Sequence, residues 1–354
     1  MSPISSQGFG APQPPRIINL SDQPPAWQWL RTAFAETHPD WHHVSSQAMR
    51  PALALLRDRQ ARLQAARQAL ALARQAGRPA VLVSHGPRPA NYLGNLLRQG
   101  DALAHLVFSF NFTGLPLGLE RHALRRAFRR VDRFVVASRL EQRRYAAHFD
   151  LDPGRIDFLP WGVRPPDRAT LGPPSVAGPY LCALGSQARD YATLARAMRQ
   201  LPHLKLVLVA TPASVAGLAL PGNITLRTNI PRVEAHNLLA HSQGMVLPLA
   251  DPLAACGHVT AVSAMQLGIP VVASRCEGLA DYLVHEQSAL LAEVGDAAGL
   301  AAAIARLHDD PALAQRLARA AQDFADQHCQ EACVVQYFRR FLASLTVPVA
   351  RSPA

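Results

Sequence analysis

Two α/β lobes in tandem, each a parallel sheet covered by helices, are the architecture this sequence predicts. Three observations predict it. Short β-branched runs alternate with Ala/Leu/Arg helical stretches from Arg16 to Leu159. A Pro/Gly-rich stretch, Pro160 to Gly178, then interrupts the alternation. The alternation restarts at Tyr180 and continues to Gln327. A chain of 354 residues can give each half its own core. The boundaries that follow are a disordered lead-in at 1–15, a first lobe at 16–163 and a linker at 164–178. A second lobe at 179–330 and a C-terminal helix and tail at 331–354, expected to pack back on the first lobe, complete the chain.

In the first lobe, strands are expected at Arg16–Leu20, Ala80–Ser84, Leu106–Phe110, Phe134–Ser138 and Ile156–Leu159. Helices fall at 51–75, closed by Gly77, and at Arg121–Val131 and Glu141–Phe149. His85-Gly86-Pro87 reads as a turn. In the second lobe, strands are expected at Tyr180–Leu184, Lys205–Ala210, Ile224–Leu226 and Met245–Leu249. Helices follow at Tyr191–Met198, Val233–His241, Gly299–Leu307 and Pro311–Gln327, the last two behind the capping residues Asp296 and Asp310.

Composition excludes several classes. No apolar run is long and unbroken enough to span a bilayer; Leu204–Leu220 starts beside Lys205 and contains Pro212. The polar opening residues lack the apolar core of a secretion signal, so a cytoplasmic protein is expected. The five cysteines are scattered and form no metal-ligand spacing; reduced thiols are the simple reading. The net charge of +11 is almost all arginine, with Lys205 the only lysine. It calls for an acidic partner such as anionic lipid, a phosphorylated small molecule or nucleic acid. No recognition motif or aromatic stacking pattern supports the last of these.

The most informative segment is Cys256 to Asp296. Gly257-His258-Val259-Thr260 opens a short helix, Gly268 ends it, and Pro270 starts the strand-like Val271-Val272. A helix that begins at a glycine loop aims unpaired N–H groups and a positive dipole end forward, which seats a phosphate. The Thr260 hydroxyl either joins that seat or serves as an N-cap. Gly185-Ser186 ends the lobe's first strand, and Arg189 follows. Its guanidinium either clamps a diphosphate, or pairs with Asp190 or caps a surface turn.

Taken together, these residues resemble the nucleotide-binding half of a GT-B glycosyltransferase, most closely family 4. The resemblance rests on Ala264-Met265, Gly268-Ile269-Pro270-Val271-Val272-Ala273, Glu277-Gly278 with Asp281, Gly295-Asp296 and Asp310-Pro311. In the first lobe it extends to Val131–Ser138 and Pro160-Trp161-Gly162-Val163. It implies two Rossmann-like lobes facing across a cleft. It also implies transfer of a sugar from a UDP- or GDP-linked donor to a hydroxyl of a glycan or lipid-linked acceptor, with retention and without a metal or other cofactor. By resemblance the donor site comprises Gly185, Ser186, Arg189, Ile230 in the base-reading turn, Gly257, His258, Val259, Thr260, Ser263, Glu277 and Asp281.

The chain departs from the family in two places. Ala255 and Ser263 stand where the family has two glutamates eight positions apart, although some relatives have a Gly-x-x-Thr loop like Gly257–Thr260 instead. Asn111 stands where the family often has a histidine near the reacting sugar, with His85 as a substitute; these two are the catalytic candidates. A non-catalytic module on the same scaffold, a nucleotide-sugar epimerase and a basic nucleic-acid-binding protein are the alternatives. Finally, Arg121, Arg125 and Arg129 lie on one arc of a basic helix, opposite Leu124 and Phe128. The arc is either solvated or docks on anionic lipid at the inner membrane face.

Overall fold

The computed structural model describes residues 14–49, 57–75 and 79–346. Most of the expected lead-in, the start of the first long helix with its closing Gly77, and the tail from 347 lie outside the described residues. By internal contacts the described chain divides into two units, 14–136 with 144–157 and 338–346, and 137–143 with 158–337.

The first unit's sheet is built from β1 (Arg16–Ser21), β2 (Trp41–Ser45), β3 (Ala80–His85), β4 (Ala104–Phe108), β5 (Arg133–Val136) and β6 (Ile156–Phe158), in the order β2-β1-β3-β4-β5-β6. The helices between them are α1 (Trp29–Ala33), α2 (Arg57–Ala73), α3 (Pro87–Leu96), α4 (Gly118–Phe128) and α5 (Arg139–Phe149). Sequence reading misses β2, because Trp41-His42-His43-Val44-Ser45 is only partly apolar. It is an edge strand, parallel to β1, with Asn19 opposite His43. The expected turn after His85 is the first turn of α3, with Pro87 where a helix tolerates proline. Strand β4 stops at Phe108 because Ser109 takes the left-handed conformation, φ 55°. One face of the sheet carries an apolar layer made of two clusters, one around Leu20, Leu70, Leu82 and Leu93, the other around Phe110, Phe128, Phe134 and Phe149; the register sets Leu20, Leu82, Val107 and Phe134 on the same side.

The second unit's sheet contains β7 (Leu181–Leu184), β8 (Leu206–Val209), β9 (Ile224–Arg227), β10 (Met245–Leu247), β11 (Val271–Ser274) and β12 (Leu290–Ala292). Their order is β12-β11-β10-β7-β8-β9, with each pair parallel. The helices are α6 (Tyr191–Arg199), α7 (Arg232–Ala240), α8 (His258–Gln266), α9 (Ala297–Asp309), α10 (Pro311–His328) and α11 (Glu331–Thr346). Alternate residues of β7 feed opposite layers: Cys182 and Leu184 pack with α8 and α10, Leu181 and Ala183 with α6 and α9. The cap signals form as their residue types require. Asp296 accepts from Gly299 N and Asp310 from Leu313 N, both at 2.9 Å. Gly268, at φ 66°, ends α8 while Ile269 N donates to Ala264 O at 2.9 Å, closing a Schellman turn.

In each sheet the chain order reverses once, between β1 and β3 in the first and between β7 and β10 in the second. The carboxyl ends of the strands at such a reversal are where open parallel sheets hold ligands.

Candidate functional site

The reversal in the second sheet gathers the two segments singled out from sequence. The turn after β7 holds Gly185 at φ 101° and Ala188 at φ 52°, and it brings the Arg189 side chain back beneath its own loop. The turn after β10 ends at Gly257, φ 90°, which starts α8 with no side-chain cap. The first-turn N–H groups of α8 are therefore left for an outside acceptor.

Arg189 joins the two segments. Its Nε donates to Leu184 O at 3.2 Å, Nη1 to Gln187 O at 2.9 Å and Nη2 to Thr260 Oγ1 at 3.1 Å. Glycine is required at both turns. A Cβ on Gly185 would sit 2.8 Å from Arg189 Nη2, and Gly257 takes φ 90°, a backbone conformation that side chains rarely adopt. The alternative pairing with Asp190 is not made. That carboxylate caps α6 by accepting from Thr193 N at 2.9 Å and from its hydroxyl at 2.5 Å. Among the described residues no carboxylate forms an ion pair with Arg189. Burial lowers its pKa from the usual value, but a guanidinium starting so high stays charged. A fixed cation and the positive end of a helix dipole thus meet at one point, without a protein anion between them.

The other expected donor residues divide into those that face this point and those committed elsewhere. Ser186 Oγ accepts from Thr211 N at 2.8 Å, which ties the loop after β7 to the loop after β8. Ile230 lies half-buried after Asn229, whose φ of 54° makes the turn before α7. Val259 is exposed on the first turn of α8. His258 is placed differently from expectation. Its imidazole is buried against Tyr282, ring centroids 5.0 Å apart, with Nε2 2.8 Å from Gly278 O. Burial lowers its pKa, so it is a neutral packing residue, and only its backbone N–H can meet a ligand. Ser263 is likewise turned away: its hydroxyl donates to Val259 O at 2.9 Å within the helix.

Glu277 and Asp281 bind Arg143 and Arg139 of the opening segment of α5, 139–143, which belongs to this unit. Glu277 pairs with Arg143. Asp281 accepts from Arg139 N at 2.8 Å and lies 3.4 Å from Arg139 Nε. It therefore stabilises the start of α5, alongside a capping box in which Glu141 accepts from Ala137 N and Ser138 Oγ, both at 3.0 Å. Sequence reading missed Tyr282. Its hydroxyl donates to Ala137 O at 2.6 Å and accepts from Trp161 N at 2.8 Å, holding the segments at either end of this turn. No local signal marks it, since its partners are 145 and 121 residues away.

In the first unit, His85 ends β3 with burial lowering its pKa to about 3, and Asn111 lies exposed after β4. The basic arc is largely spent within its own unit. Arg121 Nε donates to His148 O at 2.7 Å and Arg125 pairs with Asp150. Arg129 is exposed at the C-cap, because α4 ends at Phe128 rather than Val131. Among the described residues no three His, Cys, Asp or Glu side chains gather as a metal-holding group, and no helix is long and apolar enough to cross a membrane.

With this geometry in hand, comparison with known proteins is specific. Residues 179–310 match the model described as "Glycosyl transferases group 1", and residues 50–167 match "Glycosyltransferase Family 4". The chain is 56% identical over 50 residues to the lipopolysaccharide core biosynthesis glycosyltransferase LpsD of Rhizobium meliloti, covering 14% of this chain and 15% of that protein. It is 26% identical over 250 residues to the D-inositol 3-phosphate glycosyltransferase of an Arthrobacter strain, covering 62% of this chain and 59% of that one. The chain thus spans well under two thirds of the curated relatives it matches. The fold is similar to that of Anabaena Alr3699/HepE solved in complex with UDP, with a TM-score of 0.70 at 15% identity, covering 93% of this chain and 100% of that one. The chain belongs to the group 1, family 4 glycosyltransferases and has their GT-B fold.

Proposed function

We propose that the protein transfers a sugar from a UDP- or GDP-linked donor to a hydroxyl of a glycan or lipid-linked acceptor. Retention of configuration and independence of metal are part of this reading. The observation that carries it is the Arg189 guanidinium, held by three neutral oxygens at the uncapped start of α8 without a carboxylate partner. A diphosphate matches the charge and the donors of such a site. Anabaena HepE, of the same fold, was solved with UDP bound, which supports a nucleotide ligand.

In this reading the site works by charge. As the glycosidic bond breaks, negative charge grows on the leaving diphosphate. Arg189, the Thr260 hydroxyl and the N–H groups of His258, Val259 and Thr260 are already in place to receive it. Gly185 and Gly257 let the phosphates approach the backbone, and Ser186 and Ile230 line the way to the base. Glu277, half-exposed beside Arg143, borders the sugar, while Asp281 holds the start of α5. His85, neutral by burial, is a hydrogen-bond partner for a hydroxyl and a poor proton donor; Asn111 offers its amide. A cytoplasmic site of action fits this chemistry. Contact with an anionic membrane would use Arg129 with the exposed Leu117 and Leu119 of the α4 start, since Arg121 and Arg125 are engaged.

The test is binding of UDP and GDP by calorimetry to the wild type and to Arg189→Ala. Equal affinities would remove the site assignment. A second reading, a nucleotide-sugar-binding module without turnover, is favoured by the Ser263 hydroxyl, spent on Val259 O where the family carries a glutamate. Steady release of nucleotide from a sugar donor excludes it.

A further inference from the structure

The second unit holds a cavity at the end of its sheet opposite the Arg189 turn. Leu181 opens β7, Gln243 precedes β10 and Pro270 precedes β11, so the cavity lies at the amino ends of these strands. Its floor is apolar, with Leu181, Leu267, Pro270 and Leu307 all buried. Gly244 lets the floor close up, since a Cβ there would lie 2.8 Å from Leu307 Cδ2 and 3.4 Å from Leu181 Cδ2. Ala314, Ala318 and Gln322 give one wall, a single face of α10 at four-residue spacing. The volume, about 480 Å³, is that of a small-molecule site.

Two helix ends border this cavity, and both are already satisfied. At the end of α8, Arg168 Nη2 donates to Leu267 O at 2.6 Å and Gln322 Nε2 to Gln266 O at 3.3 Å. At the start of α10, the Asp310 carboxylate takes Leu313 N at 2.9 Å, and Pro311 has no N–H to offer. The charge of the cavity is therefore set by side chains. Arg168 and Arg319 line it from separate elements, the 3-10 turn Arg168–Thr170 and α10. No Asp or Glu is among its lining residues. Asp167, next to Arg168 in the chain, is spent on Ala169 N at 2.9 Å.

Both guanidiniums keep donors to spare. Arg168 makes one bond, to Leu267 O, and a guanidinium has five N–H groups. Arg319 forms no hydrogen bond or ion pair among the described residues, and Asp323, one turn further along α10, does not pair with it. A lone arginine on a convex surface is simply solvated. Two in one concave, apolar-floored cavity without an acid focus a positive field into it.

We propose that this cavity binds an organic phosphate monoester, its dianion at Arg168 and Arg319 and its carbon body on Leu181, Pro270 and Leu307. Two guanidiniums match a dianion in charge and in donor geometry. A free phosphate ion would leave the apolar floor uncovered. Gln315 and Gln322 offer neutral hydrogen-bonding groups for hydroxyls of the ester. Helix α8, of 9 residues, begins at the Arg189 turn and ends here, so the two sites stand roughly 13 Å apart along its axis. The inference is thus independent of the donor reading.

The experiment titrates the full chain by calorimetry at low ionic strength, where charge contacts are least screened. The probes are glycerol 3-phosphate, ribose 5-phosphate, glucose 6-phosphate and inorganic phosphate. At least one ester is expected to bind, and more tightly than inorganic phosphate. Arg319→Ala, a change at an exposed residue, should weaken that ester about tenfold, the scale of one charge-assisted contact. Arg189→Ala should leave its affinity unchanged. The proposal is overturned if no ester binds, or if inorganic phosphate binds as tightly as every ester, which leaves an adventitious ion only. It is also overturned if Arg319→Ala keeps the wild-type affinity, or if Arg189→Ala loses it, which puts the ester in the donor site. UDP and GDP are titrated into the same proteins. Their failure to bind sinks the donor reading alone and leaves this inference standing.

Discussion

Arg189 donates through Nη2 to Thr260 Oγ1 at 3.1 Å across 71 residues of chain, joining the turn after β7 to the first turn of α8. A guanidinium beside a helix N-terminus is an arrangement of like signs. It is held in place by carbonyl and hydroxyl oxygens, and the proposed diphosphate would balance its charge.

Arg189→Ala is therefore expected to weaken UDP or GDP binding roughly tenfold to a hundredfold, the range for charge-assisted hydrogen bonds. Arg189→Lys should recover part of that loss, since an ammonium keeps the charge but not the three-way fork. Calorimetric titration of the three proteins with each nucleotide checks both statements.

Gly185→Ala should lower stability and nucleotide affinity together. The residue has φ 101°, and its new Cβ would meet Arg189 Nη2 at 2.8 Å. A loss of about 1–2 kcal/mol is expected from backbone strain alone. Gly295→Ala, at φ 80° with nothing within 4 Å, serves as the control. It should cost stability by thermal melting but leave nucleotide affinity at the wild-type value.

Asp281→Asn separates an architectural role from a donor-binding one. Its carboxylate accepts from Arg139 N at 2.8 Å, so its loss should cost about 1 kcal/mol through the start of α5. UDP affinity should stay unchanged. A rise in KM for the nucleotide sugar, with UDP binding intact, would instead place Asp281 at the sugar.

Stability should fall as the solution is acidified below the ordinary histidine range. His85 and His105 have folded-state pKa values lowered by burial to about 3 and about 4 from 6.5. Below about pH 6.5 the unfolded chain binds protons that the folded chain refuses, so folding is disfavoured progressively down to the lowered values. Each residue contributes up to about 1.4 kcal/mol per pH unit in that window, and its contribution is intact above it. Denaturant unfolding of His105→Gln between pH 7 and pH 5 should show a shallower slope than wild type. An identical slope would mean that His105 titrates normally in the folded state.

Local chemistry made much of this protein legible. Gly268 and Asp296 announce a helix end and a helix start because backbone conformation and capping are decided within a few residues. The strand–helix alternation and the Pro-Val-Val-Ala strand likewise specify parallel sheets from local pattern. The order and spacing of the motifs from Val131 to Pro311, rather than any one of them, carry the resemblance to the family. What the sequence could not decide is where each side chain spends its hydrogen bonds. His258 and Ser263 lie in the right segment, yet Gly278 O and Val259 O take them out of the site. Arg121 and Arg125 share an arc with Arg129, but His148 O and Asp150 engage them. Asp190, next to Arg189 in the chain, caps α6 and leaves the guanidinium to Thr260. The pairing of β1 with β2 and β3 sets Asn19, His43 and His85 on one face, although 24 to 66 residues separate them along the chain. A side chain's partner is set by which strands lie side by side and which turns meet at a sheet reversal. Only the folded chain brings those segments together.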